Sequence, residues 1–510
     1  MFSMPVSLSV IRSTEQVHKA RTVQDQYRGA VPRVAPPVHP AFELPDTDAP
    51  LRQRLAEAVV DQIRYGRIRV GDPLPSTRVL AAELGVSRGC VVDAYDELCA
   101  SGFAVARAGS GTRVAPGADV AARAHAASHP VVPAAATEPD PVRRAPALDL
   151  RPGIPDPALI SEPEWRRAWR AAAAAPRALG VADPEAHPDL RRALADHLRR
   201  TRGLACGADE IVVLPGVAAA VRVLAIAARL RDRDVAFEDP GYLRARRALV
   251  GEGARPRPVP VGEDGLDPDL LRDTDAAVYC TPAHQYPLGA RMPVSHRARL
   301  VARAAESGTI VVEDDYDGEF RYDVSALPAL RSIDGGRECV AYVGTASKIL
   351  SPDLRLAWLI PPAPLRSRIA AAVAESGEVA GSVAASALAR LIESGALSRH
   401  LARASRTYRA RRAAFVGALH GLERSGVSVT GIEAGLHVVL RFPEGVDDVA
   451  IAAAARRLGV ETTPLSRYSA GPGGPSGLVC GYARLPESRA AAAADAIGAA
   501  LPGGVPFGLP

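Results

Sequence analysis

The residue in this chain best suited to attack a carbonyl is Lys348, and composition sets it apart: of 62 basic residues 60 are arginine, and the lysines are Lys19 and Lys348. A guanidinium stays protonated and forms no Schiff base with an aldehyde, so an amine needed for that chemistry must be a lysine. Lys19 lies in a polar N-terminal stretch, whereas Lys348 sits between apolar segments in Tyr342-Val-Gly-Thr-Ala-Ser-Lys-Ile-Leu. Asp314 and Tyr316 follow the apolar run Thr309-Ile-Val-Val, and Thr345, Ser347 and Arg355 surround the lysine. Pyridoxal 5'-phosphate (PLP) asks a protein for an amine, a carboxylate opposite the pyridine nitrogen, a donor to the ring oxygen and donors to the phosphate. Lys348, Asp314 and Tyr316 answer the first three, and Thr345, Ser347 and Arg355 the fourth, Arg355 as a charged fork. Singly, each has an ordinary reading, such as a surface lysine or an acidic cap after a strand. The ordered set is what points to the cofactor.

These residues need a scaffold, and the pattern from residue 149 onward provides one. Apolar β-type stretches, Ile211-Val-Val-Leu, Val235-Ala-Phe, Ala277-Val-Tyr-Cys, Thr309-Ile-Val-Val and Val340-Ala-Tyr-Val, alternate with helical segments. That alternation predicts an α/β domain with a mainly parallel sheet covered by helices, spanning residues 149–510. Residues 1–48 carry no sustained period and read as a flexible extension, and the Ala/Pro-rich residues 116–148 read as an exposed linker.

Between these lies a different module, residues 49–115. Leu51, Leu55, Val59 and Ile63 predict one helix, Ser76 caps a second ending before Gly85, and Ser87 caps a third. After Gly102, two short strands flank Gly109-Ser-Gly111. Three helices and a β-hairpin in this order make a winged helix-turn-helix, whose third helix suits the DNA major groove. Arg78, Ser87 and Arg88 at helix starts, and Arg107, Gly109, Gly111 and Arg113 around the wing, are the candidate DNA contacts. For each arginine alone an ordinary solvated side chain is the stronger reading; the arrangement together favours DNA.

Composition constrains the rest. A chain of 510 residues exceeds one hydrophobic core. With 47% hydrophobic and 23% charged residues and no long apolar run, a soluble protein is expected, and the start of the chain lacks the pattern of a secretory signal. The expected setting is therefore cytoplasmic, without membrane partners. Six scattered cysteines argue against a zinc or redox motif, so no metal is expected. The net charge of +5 is too mild to argue for nucleic acid unaided.

The run from Leu74-Pro-Ser-Thr-Arg through Val86-Ser-Arg-Gly-Cys to Ala100-Ser-Gly-Phe, with the wing Ala108-Gly-Ser-Gly-Thr-Arg-Val, resembles the GntR-type winged-helix domain. Gly89 and Cys90 depart from it where that family usually carries polar residues. Downstream, Arg151-Pro-Gly-Ile-Pro-Asp, Glu238-Asp-Pro-Gly-Tyr, Thr281-Pro-Ala-His-Gln-Tyr-Pro-Leu-Gly, Glu313-Asp-Asp-Tyr-Asp-Gly-Glu-Phe-Arg-Tyr, Gly344-Thr-Ala-Ser-Lys and Gly481-Tyr-Ala-Arg-Leu resemble the fold-type I aminotransferases. The whole chain is similar to the MocR-type (GabR-like) regulators, which join the two. The resemblance implies a multidomain chain with a winged helix-turn-helix and a PLP-dependent transferase domain. It further implies a head-to-tail homodimer, promoter DNA as partner and an amino-acid-like or amine effector. Tyr242 would then lie near the cofactor ring, Arg244 would face an effector carboxylate, and Arg467 in Leu-Ser-Arg-Tyr would form a second clamp. Pro215-Gly-Val-Ala replaces a family run with side-chain phosphate donors, leaving the Gly216 and Val217 amides for that role. Val181 stands where an aromatic is usual. A rival expectation is an active aminotransferase carrying a DNA-binding domain, and a third is a regulator that has lost PLP.

Overall fold

In the computed structural model the described residues are 42, 44, 45, 47, 49–107, 111–127, 148–174, 183, 185–322, 328–431 and 434–502. Most of the expected N-terminal extension, including Lys19, therefore lies outside the described residues, as do Gly109 and Val181. The chain divides into two compact units, Met1–Asp140 and Pro141–Pro510.

The first unit contains helices α1 (Leu51–Arg64), α2 (Thr77–Leu84) and α3 (Arg88–Ala100), strands β1 (Ala104–Arg107) and β2 (Gly111–Val114), and helix α4 (Ala118–Ala127). The caps act as the sequence predicts. Ser76 Oγ accepts from the Val79 amide at 3.3 Å, and Ser87 Oγ from the Cys90 amide at 3.2 Å. Gly85 ends α2 in the left-handed conformation, at φ +66°. Leu55, Val59 and Ile63 share one core with Leu80, Val91, Tyr95 and Leu98. Leu51, placed on the same face by its spacing, is 37% exposed. Steps of four residues overshoot the helical turn by about 40° each, so the far end of such a row rotates out of the core.

Helix α4 corrects the linker boundary. Ala118 and Ala122, read as exposed linker, are buried in the same core, and α4 packs on α1. Alanine serves both as a linker residue and as the strongest helix former, so composition did not separate the two. Residues 128–147 of the expected linker lie outside the described residues.

The second unit runs in chain order through β3 (Leu148–Asp149), α5 (Glu162–Ala174), α6 (Pro188–Arg202), β4 (Val212–Leu214), α7 (Val217–Ala227), β5 (Asp234–Asp239), α8 (Leu243–Gly251), β6 (Arg255–Gly262), β7 (Gly265–Leu266) and β8 (Ala277–Cys280). It continues with α9 (Val294–Ser307), β9 (Ile310–Asp315), α10 (Gly336–Cys339), β10 (Val340–Thr345), α11 (Ala346–Ile349), β11 (Ala357–Ile360), α12 (Arg366–Ser376), α13 (Ser382–Glu393) and α14 (Ala396–Leu419). It closes with β12 (Ser428–Thr430), β13 (His437–Arg441), α15 (Asp448–Arg457), β14 (Val460–Glu461), β15 (Thr463–Pro464), β16 (Gly477–Gly481) and α16 (Ala490–Ala500).

Eight strands form the main sheet in the order β4-β11-β10-β9-β8-β5-β6-β7. The five from β10 to β6 are parallel, as the alternating pattern predicts, while β11 runs antiparallel to both neighbours. Strand alternation sends Val235, Phe237, Tyr279 and Val312 into a core covered by α7, α8 and α12. Their neighbours Ala236, Val278 and Val311 point to the opposite face, covered by α9. A second, antiparallel sheet, β12-β13-β16-β15, packs with α14 and α16.

The placement of α4 generates a prediction. Ala122→Glu would put a carboxylate among apolar side chains and should destabilise the first unit by about 2 kcal/mol, read as a lower midpoint of urea unfolding. A midpoint equal to wild type would restore residues 118–127 to the linker.

Candidate functional site

The parallel strands end at one edge of the sheet, and the chemistry-bearing residues gather there, as in open α/β sheets generally. Tyr242 and Arg244 follow β5, the segment Thr281–Gly289 follows β8, Asp314 to Asp317 end β9, and Lys348 follows β10. Register ties the neighbouring strands in: Leu214 pairs with Ala357, which pairs with Thr345. Gly216 and Val217 at the start of α7, Arg355 before β11, and Thr345 thus belong to one end of three adjacent strands.

Lys348 is half-buried on α11, and its Nζ donates to the Gly153 carbonyl at 2.8 Å. Gly153 holds φ +70°, a conformation that favours glycine, and a Cβ there would come within 2.7 Å of Nζ and make the flexible end of the lysine shift. Burial first, then the positive charge of Arg244, lowers the Lys348 amine to about 8, against the pull of Asp317 and Asp314. Thr345 caps α11 through the Ser347 amide and also contacts Ser347 Oγ at 3.1 Å. Arg355 is exposed and takes the left-handed conformation at φ +48°, a strained choice for a non-glycine residue.

Asp314 is 2% exposed on β9. The Tyr279 hydroxyl donates to its Oδ2, and Tyr279 itself stacks on Phe237 with ring centroids 4.6 Å apart. Asp314 Oδ1 has no hydrogen-bond partner among the described residues. Burial raises the Asp314 carboxyl to about 7, reinforced by Asp315 and Asp317 and opposed by Tyr279 and Lys348. Tyr242 is half-buried, its hydroxyl pushed up to about 12 by burial and then by the charge of Asp314. Arg244 is exposed on α8, close enough to affect both Tyr242 and Lys348.

Several contributors escaped the sequence reading. The Tyr316 hydroxyl meets His284 Nδ1 at 2.9 Å, and the same nitrogen lies 2.8 Å from Asp317 Oδ2. Glu238, fully buried, accepts from the Thr281 amide at 3.0 Å and from Gln285 Nε2 at 3.1 Å, which fixes the segment carrying His284. Tyr286 donates to the Tyr468 hydroxyl at 2.9 Å. Arg467 is exposed, one residue before Tyr468, on a segment anchored near the end of β5. The Gly241 amide donates to the Tyr468 carbonyl at 3.1 Å, and the Ala470 amide to Asp239 Oδ1 at 2.7 Å. His284, Gln285 and Asp317 all stand in quoted motifs, so motif membership was the available signal. Tyr279 resembled core.

In the first unit, Ser87 caps α3 through its own side chain, and Arg78 and Arg88 are exposed, with Arg88 Nε on Thr77 Oγ1 at 3.3 Å. Gly111 opens β2 at φ +79°, opposite Arg107 in the wing. Arg113 Nη1 donates to the Gly71 carbonyl at 2.9 Å, so part of its fork braces the wing.

The chain matches the bacterial regulatory proteins of the gntR family over residues 51–114 and the aminotransferases of class I and II over residues 155–497. It is 35% identical to the HTH-type pyridoxine biosynthesis transcriptional regulator PdxR of Corynebacterium glutamicum, over 84% of this chain and 91% of that protein. It is 32% identical to a protein of Rhizobium meliloti named "Probable rhizopine catabolism regulatory protein MocR", over 86% and 91%. The chain belongs to the MocR family of transcriptional regulators. As in the family, a GntR-type DNA-binding winged helix precedes a fold-type I aminotransferase domain. Solved structures agree on the fold of this MocR-type chain. The α-aminoadipate aminotransferase LysN of Thermus thermophilus, complexed with N-(5'-phosphopyridoxyl)-L-leucine, superposes with a TM-score of 0.62 at 27% identity, over 69% of this chain and 92% of that one. An archaeal alanine:glyoxylate aminotransferase gives a TM-score of 0.63 at 22% identity, over 69% and 89%.

The lowered Lys348 amine is directly measurable. In the cofactor-free protein, the acetylation rate of the Lys348 peptide, followed by mass spectrometry against pH, should reach half its maximum near pH 8. A midpoint near the usual lysine value, roughly 10.4, would contradict the burial and the Arg244 neighbourhood.

Proposed function

We propose that this MocR-type regulator holds PLP on Lys348 and reads a carboxylate-bearing amine there, converting its arrival into altered binding of promoter DNA. The observation that carries the proposal is the buried Asp314 carboxylate, with one oxygen bound by Tyr279 and the other without a hydrogen-bond partner among the described residues. A desolvated acceptor left open is costly unless a donor arrives, and a protonated pyridine nitrogen is such a donor. Its positive charge would draw Asp314 back to the ionised form.

PLP supplies an aldehyde that condenses with primary amines and a ring that withdraws electrons. The remaining work falls to the protein. With its amine near 8, Lys348 retains an appreciable unprotonated fraction at neutral pH. Tyr316 would donate to the ring oxygen, and Tyr242 would border the ring. Thr345, Ser347, Arg355 and the Val217 amide would take the phosphate, whereas the expected Gly216 amide already donates to the Leu214 carbonyl at 2.8 Å. Gly216 stands at φ +100° with open space where a Cβ would be, and Val217 opens α7 beside it. Arg244 and Arg467, both exposed, would clamp the effector carboxylate. Arg78, Ser87, Arg88, Arg107, Gly109, Gly111 and Arg113 would contact DNA, and the functional unit would be the head-to-tail homodimer. An effector shifts DNA binding only if it favours one conformation of that unit.

A second reading, sustained transamination, is favoured by the 28% identity to the 2-aminoadipate transaminase of Thermus thermophilus over 70% of this chain. Continuous turnover with an amino donor and a 2-oxo acid would support it.

The regulatory reading is tested with a promoter fragment recovered by genome-wide mapping. With PLP present, at least one amine from a panel of amino acids should change wild-type DNA affinity about fivefold or more, while Lys348→Ala keeps its basal affinity and does not respond. An equal response from Lys348→Ala would refute the proposal.

A further inference from the structure

Behind Tyr316 lies a polar group that no role above uses. His284 is 3% exposed and Asp317 2%, and His284 Nδ1 stands 2.8 Å from Asp317 Oδ2 and 2.9 Å from Tyr316 Oη. The ring is wedged in place. A Cβ on Gly435 would fall 2.4 Å from His284 Cε1 and 2.5 Å from Asp317 Oδ2, and one on Gly289 would fall 3.2 Å from His284 Nε2. His284 Nε2 has no partner among the described residues.

One nitrogen facing two oxygens can hold a single proton, and the carboxylate decides where it sits. Asp317 accepts only, so Nδ1 carries the proton and gives it to Asp317, an assignment that follows from the network. A protonated Nδ1 cannot accept from Tyr316. Asp317 also acts on Tyr316 by charge and by hydrogen bonding, so the imidazole competes with the Tyr316 hydroxyl for that carboxylate, and with the imidazole removed the carboxylate would capture the hydroxyl proton outright. Arg321, whose Nε donates to the Gly318 carbonyl at 3.1 Å, bears on Asp317 by charge and has no proton to yield to it, and the next neighbours have partners of their own. Tyr286 donates to Tyr468, His437 Nε2 contacts the Pro287 carbonyl at 2.9 Å, Asp314 is held by Tyr279, and Lys348 donates to Gly153.

We propose that His284, its tautomer fixed by Asp317, is a positioning residue that competes with Tyr316 for the Asp317 carboxylate and so leaves the Tyr316 hydroxyl able to donate to the ring oxygen of PLP. The inference rests on the reading that Lys348 holds PLP. A lost donor leaves the ring oxygen less stabilised as an anion, so the proton it shares with the Lys348 nitrogen is retained to higher pH.

The experiment is a pH titration of the visible absorption band of the PLP-loaded full chain. Tyr316→Phe should raise the midpoint by about one pH unit. His284→Gln, whose amide reaches toward the Nε2 position, should raise it similarly, whereas His284→Asn, which restores a donor at the Nδ1 position, should titrate like wild type. The double variant His284→Gln/Tyr316→Phe should match Tyr316→Phe alone. Equal midpoints for the Asn and Gln variants, or full addition of the two shifts in the double variant, would overturn the role of His284. A wild-type chain with no visible band at all would overturn the PLP reading itself, and this inference with it.

Discussion

A carboxylate shut away from water with one donor among the described residues is the constraint on which the aminotransferase domain depends. Asp314 can be held there because Tyr279 reaches it from the adjacent strand, and Tyr279 can do so because it stacks on Phe237 one strand further on. Register makes this possible: Phe237 lies opposite Tyr279, and Tyr279 opposite Val312, two residues before Asp314 on the same face. Three parallel strands must therefore stay aligned for one oxygen of one side chain to be satisfied.

The acids on either side of Asp314 are treated differently. Asp315 turns to the opposite face and is bound by Arg202 Nε at 2.5 Å and the Tyr342 hydroxyl at 2.7 Å. Glu313, on that same face, accepts from the Leu330 amide at 2.8 Å and the Arg331 amide at 3.3 Å, and burial holds its carboxyl at about 7. These two are spent on joining β9 to α6, β10 and the segment before α10. Asp315 Oδ1, like Asp314 Oδ1, has no hydrogen-bond partner among the described residues, but of the three consecutive acids Asp314 is the one whose charge bears on the half-buried Lys348. Polar groups left open inside a fold are a cost that a structural role does not explain; Lys348 and Asp317 act on the Asp314 carboxyl by charge, and it acts in turn on Tyr242.

Much of the scaffold was legible because it follows from local rules. The strands around Val235, Ala277, Thr309 and Val340 are apolar β runs, and Ser76, Ser87 and Gly85 sit at helix ends for reasons that require no tertiary information. Lys348 stood out because lysine is so rare here. What stayed hidden depends on pairing across the chain. Tyr279 in Ala277-Val-Tyr-Cys looks like any core aromatic until β8 is set beside β9. His284 and Asp317 lie 33 residues apart and meet through that same pairing. Gly153 matters only because Lys348, distant in sequence, donates to its carbonyl. Helix α4 was missed because alanine has two ordinary uses.

The account turns on whether Lys348 is where PLP is held, and the scarcity of lysine makes this directly measurable. Purified full-length protein is incubated with PLP, reduced with borohydride, digested and analysed by mass spectrometry. The expected result is a phosphopyridoxyl group on the Lys348 peptide, abolished by Lys348→Ala and strongly reduced by Asp314→Ala. An unmodified Lys348 peptide after reduction at saturating PLP would contradict the central claim.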